Sequence, residues 1–297
     1  MADFVPFDDR DGKIWLDGKL IDWRDAKIHV LTHGLHYASA VFEGERCYGG
    51  NIFKVREHGE RLHASAQMVG YDIPFSIEAL EAARYEVLKA NDIIDGYVRP
   101  VAWRGSEMMG VSAQQNTIHV AIAAWPWPSY FSDEARQRGI KLAVSDWRRP
   151  APDTAPTQAK ASGLYMICTM SKHKAEQEGF DDALMYDHRG LIAEATGANI
   201  FLAQEGKLHT PIPDCFLDGI TRRTVMDLAQ RRGIDVIERH MGPEEIAKAD
   251  EIFLTGTAAE VTPVGQIGDN HFQVGSITHQ LMDDYHAEVR KTPAEAA

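Results

Sequence analysis

The stretch Pro156-Thr157-Gln158-Ala159-Lys160-Ala161-Ser162-Gly163-Leu164-Tyr165 carries a single charge, on Lys160. Most surface lysines have charged neighbours, whereas alanines flank this one on both sides. A lysine enclosed by small residues loses hydration, and a less hydrated amine is a better nucleophile, as Schiff-base formation requires. From this window alone, a surface lysine whose stem lies along apolar residues is the favoured interpretation. The rest of the chain has to decide between the two.

The composition is that of an ordinary globular enzyme, with 297 residues, 25% charged residues and a formal net charge of -13. Arginine pairs are isolated and no long basic run exists, so nucleic acid and anionic membranes are not expected partners. Three cysteines, without a C-x-x-C pair, indicate a reducing cytoplasm. The first ten residues lack the pattern of a secretory signal, and no apolar run is long enough to span a membrane.

Strand and helix signals alternate along the first half of the chain. Asp17-Gly18 predicts the turn of a hairpin within 13–21. Residues 52–55 are predicted to form a strand that ends next to Arg56, and Ser76 is predicted to cap a helix. Helices with periodic apolar faces are expected over 56–69 and 77–87, and strands over 97–103 and 117–125. Pro100 inside a strand indicates an edge or a bulge.

The segment Trp125-Pro126-Trp127-Pro128 interrupts this pattern, because two prolines do not fit a central strand. We therefore expect a smaller α/β domain over 1–125, an interdomain loop over 126–137 and a larger domain over 138–297. The elements expected in the larger domain are strands near 140–144, 182–186, 198–203 and 251–254, helices over 164–178 and 221–233, and a short helix at Pro243. The mixture predicts an α+β fold.

Three charged residues stand out. Glu194 is the only charged residue of 191–201; a buried acid needs a partner, and a protonated ring nitrogen would serve, although an exposed acid on a turn is the alternative. Arg56 follows a predicted strand and Arg99 lies within one, and arginine binds phosphate or carboxylate through two parallel hydrogen bonds. Alternatively, Arg56 pairs with a neighbouring glutamate and Arg99 lies on a solvated strand face.

Two segments have the composition of anion-binding turns. Gly219-Ile220-Thr221 opens a predicted helix, whose first N–H groups are free to bind an anion. Thr255-Gly256-Thr257-Ala258 could form a second concavity of N–H groups. A shielded lysine, an isolated acid, two arginines and two anion-binding turns suit a phosphorylated, cationic ring that bears an aldehyde. Pyridoxal 5'-phosphate is the obvious candidate.

The chain resembles the branched-chain amino acid aminotransferases, whose class IV (fold-type IV) pyridoxal-phosphate fold has two α/β domains with the cofactor in the interdomain cleft. The resemblance runs from Ile14 to about Gly268 and rests on several motifs in the right order. Its densest points are His33–Tyr37, Val41–Gly44, Arg56–His58, Tyr97–Pro100, Met109–Val111, Lys160, Glu194, Gly219–Arg222 and Gly256–Glu260.

The resemblance implies roles for residues around the cofactor. Lys160 would form the Schiff base and then move the substrate's proton. Glu194 would keep the pyridine nitrogen protonated, and Tyr165 would hydrogen-bond the phenolic oxygen of the ring. The residues implied to hold the phosphate are Arg56, Ile220, Thr221 and Thr257.

The resemblance also implies how the substrates bind. Tyr97, with the backbone of Thr257 and Ala258, would bind the α-carboxylate, and Arg99 would take the second carboxylate of glutamate. The residues implied to form the apolar side-chain pocket are Tyr37, Phe42, Trp127 and Tyr130. Residues Met109 to Val111 would reach the active site of a neighbouring subunit, so a homodimer would be the minimum unit.

The implied reaction is ping-pong transamination of leucine, isoleucine or valine with 2-oxoglutarate. Alternatives are a class IV sibling, such as a D-amino acid transaminase or an aminodeoxychorismate lyase, or a non-enzymatic module that binds a phosphorylated ligand. Several positions depart from the family's usual residues. Glu45, Trp103 and Arg104 put the substrate range in doubt, and Ala195 and Thr196 replace a glycine-rich pair. Asp218 stands in place of the usual proline, and its carboxylate would repel a nearby phosphate unless it points away.

Overall fold

The computed structural model of the chain describes residues 5–127 and 133–291. The chain divides into two compact units, the first made of Met1–Pro128 with Ala159–Gly163 and the second of Ser129–Gln158 with Leu164–Ala297. The short segment around Lys160 thus belongs to the first unit, whereas we expected it in the larger domain. The reason is backbone pairing, since Ala161 forms a β-bridge with Val41 of the first unit.

The first unit is built on a seven-stranded sheet in the order β2-β1-β7-β6-β4-β5, with β3 also paired to β6. The strands are β1 (Lys13–Leu16), β2 (Lys19–Asp22), β3 (Ala40–Phe42), β4 (Glu45–Tyr48), β5 (Asn51–Ile52), β6 (Gly96–Arg104) and β7 (Ile118–Pro126). Its helices are α1 (His33–Tyr37), α2 (Val55–Met68) and α3 (Ile77–Ala90), with a 3-10 turn at Trp23–Asp25.

Two local predictions for this unit are confirmed and one is wrong. Asp17 and Gly18 turn between β1 and β2 with positive φ angles, and Ser76 Oγ accepts a hydrogen bond from the Ala79 N–H at 3.1 Å as the N-cap of α3. The predicted strand over 52–55 stops at Ile52, and α2 begins at Val55. Lys54 adopts the left-handed conformation, so the chain turns there and Arg56 lies in the first turn of a helix.

Pro100 lies in the middle of a central strand and pairs with β7 in regular register, which differs from the edge or bulge expected. The neighbours of β6 on one side are β3 and β4, which pair with Val101 and Val98 respectively, so Pro100 falls opposite the gap between them. The Glu43 N–H donates to the Pro100 carbonyl at 2.9 Å across that gap. A proline is tolerated here because the ladder needs no N–H donor where the two partner strands are interrupted.

The two faces of this sheet have different tasks. Glu45 pairs with Val98, and its carboxylate binds Arg84 of α3, so this face carries the helices. Side chains alternate along a strand, and Tyr97 and Arg99 therefore lie on the opposite face. That face holds the residues that the resemblance assigns to substrate binding.

The second unit contains a nine-stranded sheet and helices α4 to α7. Its strands are β8 (Ile140–Val144), β9 (Asp182–Tyr186), β10 (Ile192–Ala195), β11 (Asn199–Gln204), β12 (Lys207–Thr210), β13 (Val236–Glu238), β14 (Glu251–Gly256), β15 (Glu260–Ile267) and β16 (Asn270–His271). Its helices are α4 (Asp133–Arg138), α5 (Met166–Gln177), α6 (Ile220–Arg231) and α7 (Ser276–Glu288), with 3-10 turns at Ser162–Tyr165, where the chain enters the unit, and Pro243–Lys248.

Six of these strands close into a barrel. The order β10-β9-β8-β15-β14-β11 returns to its start because β10 also pairs with β11. The barrel interior is filled by aliphatic side chains, among them Ile140, Leu184, Ile200, Leu254 and Val264. Helix α5 packs outside against β8 and β9, and α6 and α7 pack against β14. The closure was not predicted from the sequence. The elements of this unit that were not predicted are β10, β12, β13, β15, β16, α4 and α7.

A β-bulge in β10 turns two consecutive side chains out of the barrel. The register shifts between Ile192 and Glu194, and both Ile192 and Ala195 join the interior core. Ala193 instead packs with Cys215 and Phe216 in a separate apolar cluster. Glu194 is therefore also directed outward, and bulges of this kind commonly re-aim a side chain next to a functional site.

No helix in the described ranges combines the length and the apolar character that a membrane span requires.

Candidate active site

The backbone of Lys160 is held within the first unit. The Phe42 N–H donates to the Lys160 carbonyl at 3.1 Å, and the Lys160 N–H donates to Ser65 Oγ at 3.0 Å. Ala159 and Ala161 on either side are buried. The side chain of Lys160 is partly buried, and its Nζ lies 5.0 Å from the centre of the Phe42 ring. The amine is thus placed against an aromatic face, whereas the sequence predicted small residues around it.

Tyr97 and Arg99 lie beside the same aromatic ring. The Arg99 Nη2 donates to the Tyr97 hydroxyl at 3.2 Å, and its guanidinium carbon is 4.8 Å from the centre of the Phe42 ring. Trp125 and Trp127 each lie 5.3 Å from the Tyr97 ring. One face of the sheet therefore presents an amine, aromatic rings and a guanidinium together.

Gly44 is what allows Tyr97 to reach this position. A Cβ on Gly44 would lie 1.8 Å from the Tyr97 hydroxyl, so any other residue would displace the ring. The glycine follows β3 in the gap opposite Pro100. The Val-Phe-Glu-Gly motif therefore ends in glycine because the tyrosine hydroxyl occupies the space of a side chain.

The two arginines of α2 occupy different environments. Arg56 is exposed and forms ion pairs with Glu60, at 3.2 Å, and with Glu78. Pairing with a neighbouring glutamate was the alternative interpretation of Arg56, and it describes the observed contacts. Arg61, which sequence reasoning missed, is largely buried and donates to both carboxylate oxygens of Glu43, at 2.7 and 2.8 Å. Arg61 is therefore a better placed anion-binding candidate on this helix.

Glu43 lies at the centre of a buried charge cluster. Its Oε2 is 2.6 Å from His58 Nδ1, and its side chain is fully buried. Burial alone raises the pKa of the Glu43 carboxyl, but the charges of Arg61 and His58 outweigh burial and hold that pKa well below its ordinary value. The carboxylate is thus ionised, and it fixes the Arg61 guanidinium in one orientation.

In the second unit, Glu194 is buried between one hydrogen-bond donor and one cation. The Asn199 Nδ2 donates to Glu194 Oε2 at 3.2 Å, and the Arg149 Nε lies 3.3 Å from Glu194 Oε1. Glu194 is 7% exposed, so the alternative of an exposed acid on a turn is wrong. Sequence reasoning missed Arg149, because it follows Arg148 and resembles a member of an ordinary surface pair.

Arg149 links several residues of this region. It is 4% exposed, and its Nη1 donates to the Leu164 carbonyl at 3.4 Å and to Cys168 Sγ at 3.2 Å. The half-buried Tyr165 phenol also interacts electrostatically with the guanidinium. Burial raises the pKa of the Cys168 thiol to about 11, so this cysteine is a neutral neighbour rather than a nucleophile.

A row of polar side chains crosses three neighbouring strands outside the barrel. Glu194 pairs with Asn199, and Asn199 pairs with Thr255, so their side chains share one face. Thr255 Oγ1 is buried without a hydrogen-bond partner among the residues that the structure describes. A buried hydroxyl in this state is suited to a ligand that brings its own polar groups.

The N-terminus of α6 adjoins this row through Asn199. The Asn199 Nδ2 also donates to the Leu217 carbonyl at 3.0 Å, and a Cβ on Gly219 would lie 2.2 Å from Asn199 Oδ1. Gly219 is the N-cap of α6, and no side chain caps the helix or adds a negative charge to its first turn. The first N–H groups of α6, with Ile220 and Thr221 buried there, therefore suit an anion.

Asp218 does not oppose an anion at this position. Its carboxylate accepts a hydrogen bond from Arg222 Nη1 at 2.9 Å, and Arg223 Nε lies 3.8 Å away. Arg222 is itself buried and also binds Glu238 at 2.6 Å. The charge of Asp218 is thus neutralised within α6, which answers the concern raised by its place next to Gly219.

Known proteins with a related sequence or fold identify the family. Residues 40–267 match the family model described as amino-transferase class IV. The chain belongs to the class IV aminotransferase family. It is 40% identical to the branched-chain-amino-acid aminotransferase of Pseudomonas aeruginosa over 296 residues, which are 97% of this chain and 96% of that protein.

Solved structures support the same assignment. The branched-chain amino acid aminotransferase of Escherichia coli has a TM-score of 0.92 with 36% identity, covering 96% of this chain and 97% of that one. The enzyme of T.th., complexed with N-(5'-phosphopyridoxyl)-L-glutamate, has a TM-score of 0.91 with 35% identity and the same coverage. This class IV aminotransferase therefore has the family fold over nearly its whole length, as predicted.

Three groups of expected site residues remain: those in a turn, those at the surface and one outside the described residues. Thr257 and Ala258 lie in the turn between β14 and β15 and are partly buried. Tyr37, Met109 and Val111 are exposed, with Val111 at 89%. Tyr130 lies outside the described residues.

The unusual residues of this class IV aminotransferase have partners away from Lys160. The Glu45 carboxylate accepts two hydrogen bonds of 2.9 Å from the Arg84 Nε, and both side chains are fully buried on the helical face of the sheet. Arg104 donates to the Gly70 carbonyl at 2.6 Å, and Trp103 stacks on His119.

Thr196, another unusual residue, fixes the turn that follows Glu194. Its Oγ1 donates to Asp182 Oδ1 at 2.6 Å, and burial raises the pKa of the Asp182 carboxyl. The threonine thus supplies a hydrogen bond that a glycine could not make. The preceding Ala195 packs in the barrel core.

Proposed function

We propose that this class IV aminotransferase exchanges the amino group of leucine, isoleucine or valine with 2-oxoglutarate, using pyridoxal 5'-phosphate. One observation carries the proposal: Lys160 Nζ and the Arg99 guanidinium both lie within 5.0 Å of the centre of the Phe42 ring. An amine for proton transfer, an apolar wall for an aliphatic side chain and a cation for a second carboxylate are thus adjacent. The names of the similar proteins support the same substrate class.

The donors present fit that cofactor. Lys160 would bind its aldehyde carbon, Glu194 its ring nitrogen and Tyr165 its phenolic oxygen. The residues proposed for its phosphate are Ile220, Thr221, Thr257 and Arg61, the last in place of Arg56. When bound, pyridoxal phosphate supplies the carbon that carries the amino group and a ring that withdraws electrons from the substrate Cα.

The residues of the chain then have defined tasks. The Lys160 amine removes the proton from the substrate Cα and later returns one, which is general base and acid work by one positioned group. Glu194 is anionic and buried, so it favours a proton on a ring nitrogen beside it. Arg149 and Asn199 hold that carboxylate in place. Positive charge on the ring nitrogen is therefore maintained by protein groups that need not move during the reaction.

Substrate selection would use both carboxylates of glutamate. Tyr97, with the backbone of Thr257 and Ala258, is proposed for the α-carboxylate that all substrates share. Arg99 is proposed for the second carboxylate, which leucine lacks. The aromatic residues Tyr37, Phe42, Trp127 and Tyr130 are proposed to contact the aliphatic side chain.

We infer a homodimer as the smallest active assembly. Val30, Leu35 and Val111 are exposed apolar side chains of the first unit, and His33 Nε2 lies 2.9 Å from the Gly110 carbonyl, so α1 and the segment around Met109 form one surface. An exposed apolar surface of this kind marks an interaction site. In sedimentation experiments, Val111→Glu should behave as a monomer. The control variant Ile94→Glu, at an exposed position elsewhere, should remain a dimer.

A cytoplasmic location is inferred from the cysteines. Cys47, Cys168 and Cys215 are all free and buried. Burial raises the pKa of Cys47 to about 11 and that of Cys215 to about 12, so neither is disposed to oxidise. Free thiols without a disulfide are usual in a reducing compartment.

The decisive experiment measures cofactor attachment and substrate choice together. Protein loaded with pyridoxal phosphate should be yellow, and borohydride reduction with peptide mapping should label Lys160. L-leucine should convert the cofactor to its amine form much faster than D-alanine. Preference for D-alanine would indicate a D-amino acid transaminase, and label on another lysine would remove Lys160 from its role.

A further inference from the structure

Ser65 is a fully buried serine in the middle of α2, and its hydroxyl contacts the backbone of Lys160. Its Oγ accepts a hydrogen bond from the Lys160 N–H at 3.0 Å across 95 positions of sequence. Serine is not favoured inside a helix, because its hydroxyl competes for backbone hydrogen bonds. Here the hydroxyl accepts a hydrogen bond from the Lys160 N–H, which belongs to a segment distant in sequence.

The carbonyl of Lys160 is fixed on the opposite side. It accepts a hydrogen bond from the Phe42 N–H at 3.1 Å, and the next residue, Ala161, bridges to Val41. The segment thus lies against β3 like a short additional strand, and Ser65 satisfies the N–H that faces away from β3. Both backbone polar groups of Lys160 are held within one unit, independently of any ligand.

This arrangement matters because the lysine side chain is long and flexible. Four rotatable bonds separate Cα from Nζ, so a small backbone displacement moves the amine by an ångström or more. Misplacement of a reacting group by about 1 Å can lower a rate by about 100-fold. Ser65 also lies one helical turn after Arg61, so α2 fixes the lysine backbone and a candidate anion-binding side chain on one rigid element.

We propose that Ser65 is a positioning residue for Lys160, which holds the lysine backbone so that its amine reaches the reacting carbon. The inference rests on the proposed role of Lys160. Ser65 contacts neither substrate nor cofactor in this scheme, and its effect passes entirely through the Lys160 amide. Ser65→Ala should therefore lower the rate of steps that use the lysine amine without changing what binds.

The test compares Ser65→Ala and Ser65→Thr in the full chain with the matched control Ser171→Ala. Ser171 is also a buried helical serine, in α5, and its hydroxyl bonds to the Ile167 carbonyl at 2.7 Å. Alanine favours a helical conformation and leaves only a small cavity, so both alanine variants should fold. Threonine keeps the hydroxyl, so Ser65→Thr should fold as well. Thermal unfolding would verify this, and Ser65→Cys keeps the size with a weaker acceptor if threonine is too large.

Two readouts separate positioning from simple stabilisation. Hydrogen exchange followed by mass spectrometry should show faster exchange at the Lys160 amide in Ser65→Ala only. Stopped-flow mixing of apo-protein with pyridoxal phosphate should show attachment to Lys160 at least tenfold slower, and kcat should fall about 10- to 100-fold with little change in KM. Threonine, or cysteine in part, should restore these rates.

Two results would overturn the proposal on Ser65. One is an attachment rate within threefold of wild type despite loss of amide protection. The other is a loss no greater than that of Ser171→Ala at equal thermal stability. Failure of the proposed function appears separately, because Lys160→Ala would then retain cofactor attachment or turnover whatever the Ser65 variants do.

Discussion

The Arg149 Nε lies 3.3 Å from Glu194 Oε1, and both side chains are more than nine-tenths buried. A buried carboxylate without a partner tends to take up a proton, and an adjacent guanidinium prevents this. Arginine stays charged at all physiological pH values. The pair therefore keeps Glu194 anionic before a ring nitrogen is bound, and the Asn199 amide adds a hydrogen bond to the other carboxylate oxygen.

Replacement of Arg149 by methionine should leave an uncompensated buried carboxylate. We expect a loss of about 3–5 kcal/mol in the free energy of unfolding at neutral pH, the usual cost of removing one partner of a buried pair. Infrared difference spectra should show a protonated carboxyl that Glu194→Gln removes. Arg149→Lys should retain an ionised carboxylate, and Arg148→Met, at the exposed neighbouring position, should have little effect. An ionised Glu194 in Arg149→Met would contradict this account.

The two arginines of α2 give opposite expectations for cofactor binding. Arg61→Ala should weaken pyridoxal phosphate binding by roughly 10- to 150-fold, the range of a charge-assisted hydrogen bond worth about 1.5–3 kcal/mol. Arg56→Ala should change it less than threefold, because its exposed ion pairs contribute little. Equilibrium dialysis of the apo-proteins measures both. Equal weakening would restore Arg56 to the phosphate site, and Arg61→Lys tests whether charge alone suffices.

Much of the fold was predictable because its local signals are strong. The hairpin at Asp17-Gly18, the cap at Ser76 and the strand Ile140–Val144 follow from turn chemistry and periodicity. Closure of the barrel could not be predicted, since it depends on pairing between β10 and β11 and on the bulge before Glu194. A bulge depends on pairing with strands that are distant in sequence, so a short stretch of sequence does not reveal it.

The site was predictable where a residue is chemically isolated in sequence, as Lys160 and Glu194 are. It was not predictable where a charge lies among other charges. Arg61 follows Glu60 and Arg149 follows Arg148, so each resembles a solvated surface residue until burial distinguishes it. Arg56 has the same kind of neighbours and is in fact exposed. For Arg56 and Arg61, burial depends on which face of α2 packs against the rest of the unit. The residues that flank an arginine in sequence do not reveal whether it is buried.

Lowering the pH should remove the contribution of the Glu43 cluster to the stability of the fold. The folded pKa of Glu43 is depressed, so its contribution to stability is fully present above the ordinary carboxyl value near 4.5 and is lost as the pH falls below that value. Glu43→Gln should lose about 3–5 kcal/mol in the free energy of unfolding at pH 7, because the largely buried Arg61 loses its counter-charge. The difference from wild type should narrow between pH 5 and pH 3, values chosen to bracket roughly the titration range of carboxyl groups.

Denaturant unfolding at several pH values measures that narrowing. Glu60→Gln is a suitable control, since Glu60 lies on the same helix in an exposed pair with Arg56. It should cost less than about 1 kcal/mol at any pH. A Glu43→Gln difference that stays constant from pH 7 to pH 3 would mean that the cluster stabilises the unit by packing alone.

Arg99 provides the sharpest test of dual substrate recognition. One site has to accept an aliphatic side chain in one half-reaction and a carboxylate in the other, and a buried arginine facing an aliphatic group is costly unless it keeps other partners. The structure supplies such partners, since Arg99 donates to the Tyr97 hydroxyl at 3.2 Å and lies over the Phe42 ring. The guanidinium is therefore stabilised when leucine occupies the site.

Arg99→Ala should consequently damage the 2-oxoglutarate half-reaction much more than the leucine half-reaction. Loss of one charge-assisted pair is worth about 1.5–3 kcal/mol, so the selective loss should be roughly 10- to 150-fold. Single-turnover kinetics can follow each half-reaction separately, because a ping-pong enzyme releases its first product before the second substrate binds. Tyr97→Phe, which removes only the hydroxyl, should slow both half-reactions if that hydroxyl binds the shared α-carboxylate. Equal losses for Arg99→Ala would assign Arg99 to the α-carboxylate as well, and a loss confined to leucine would exclude it from recognition of the second carboxylate.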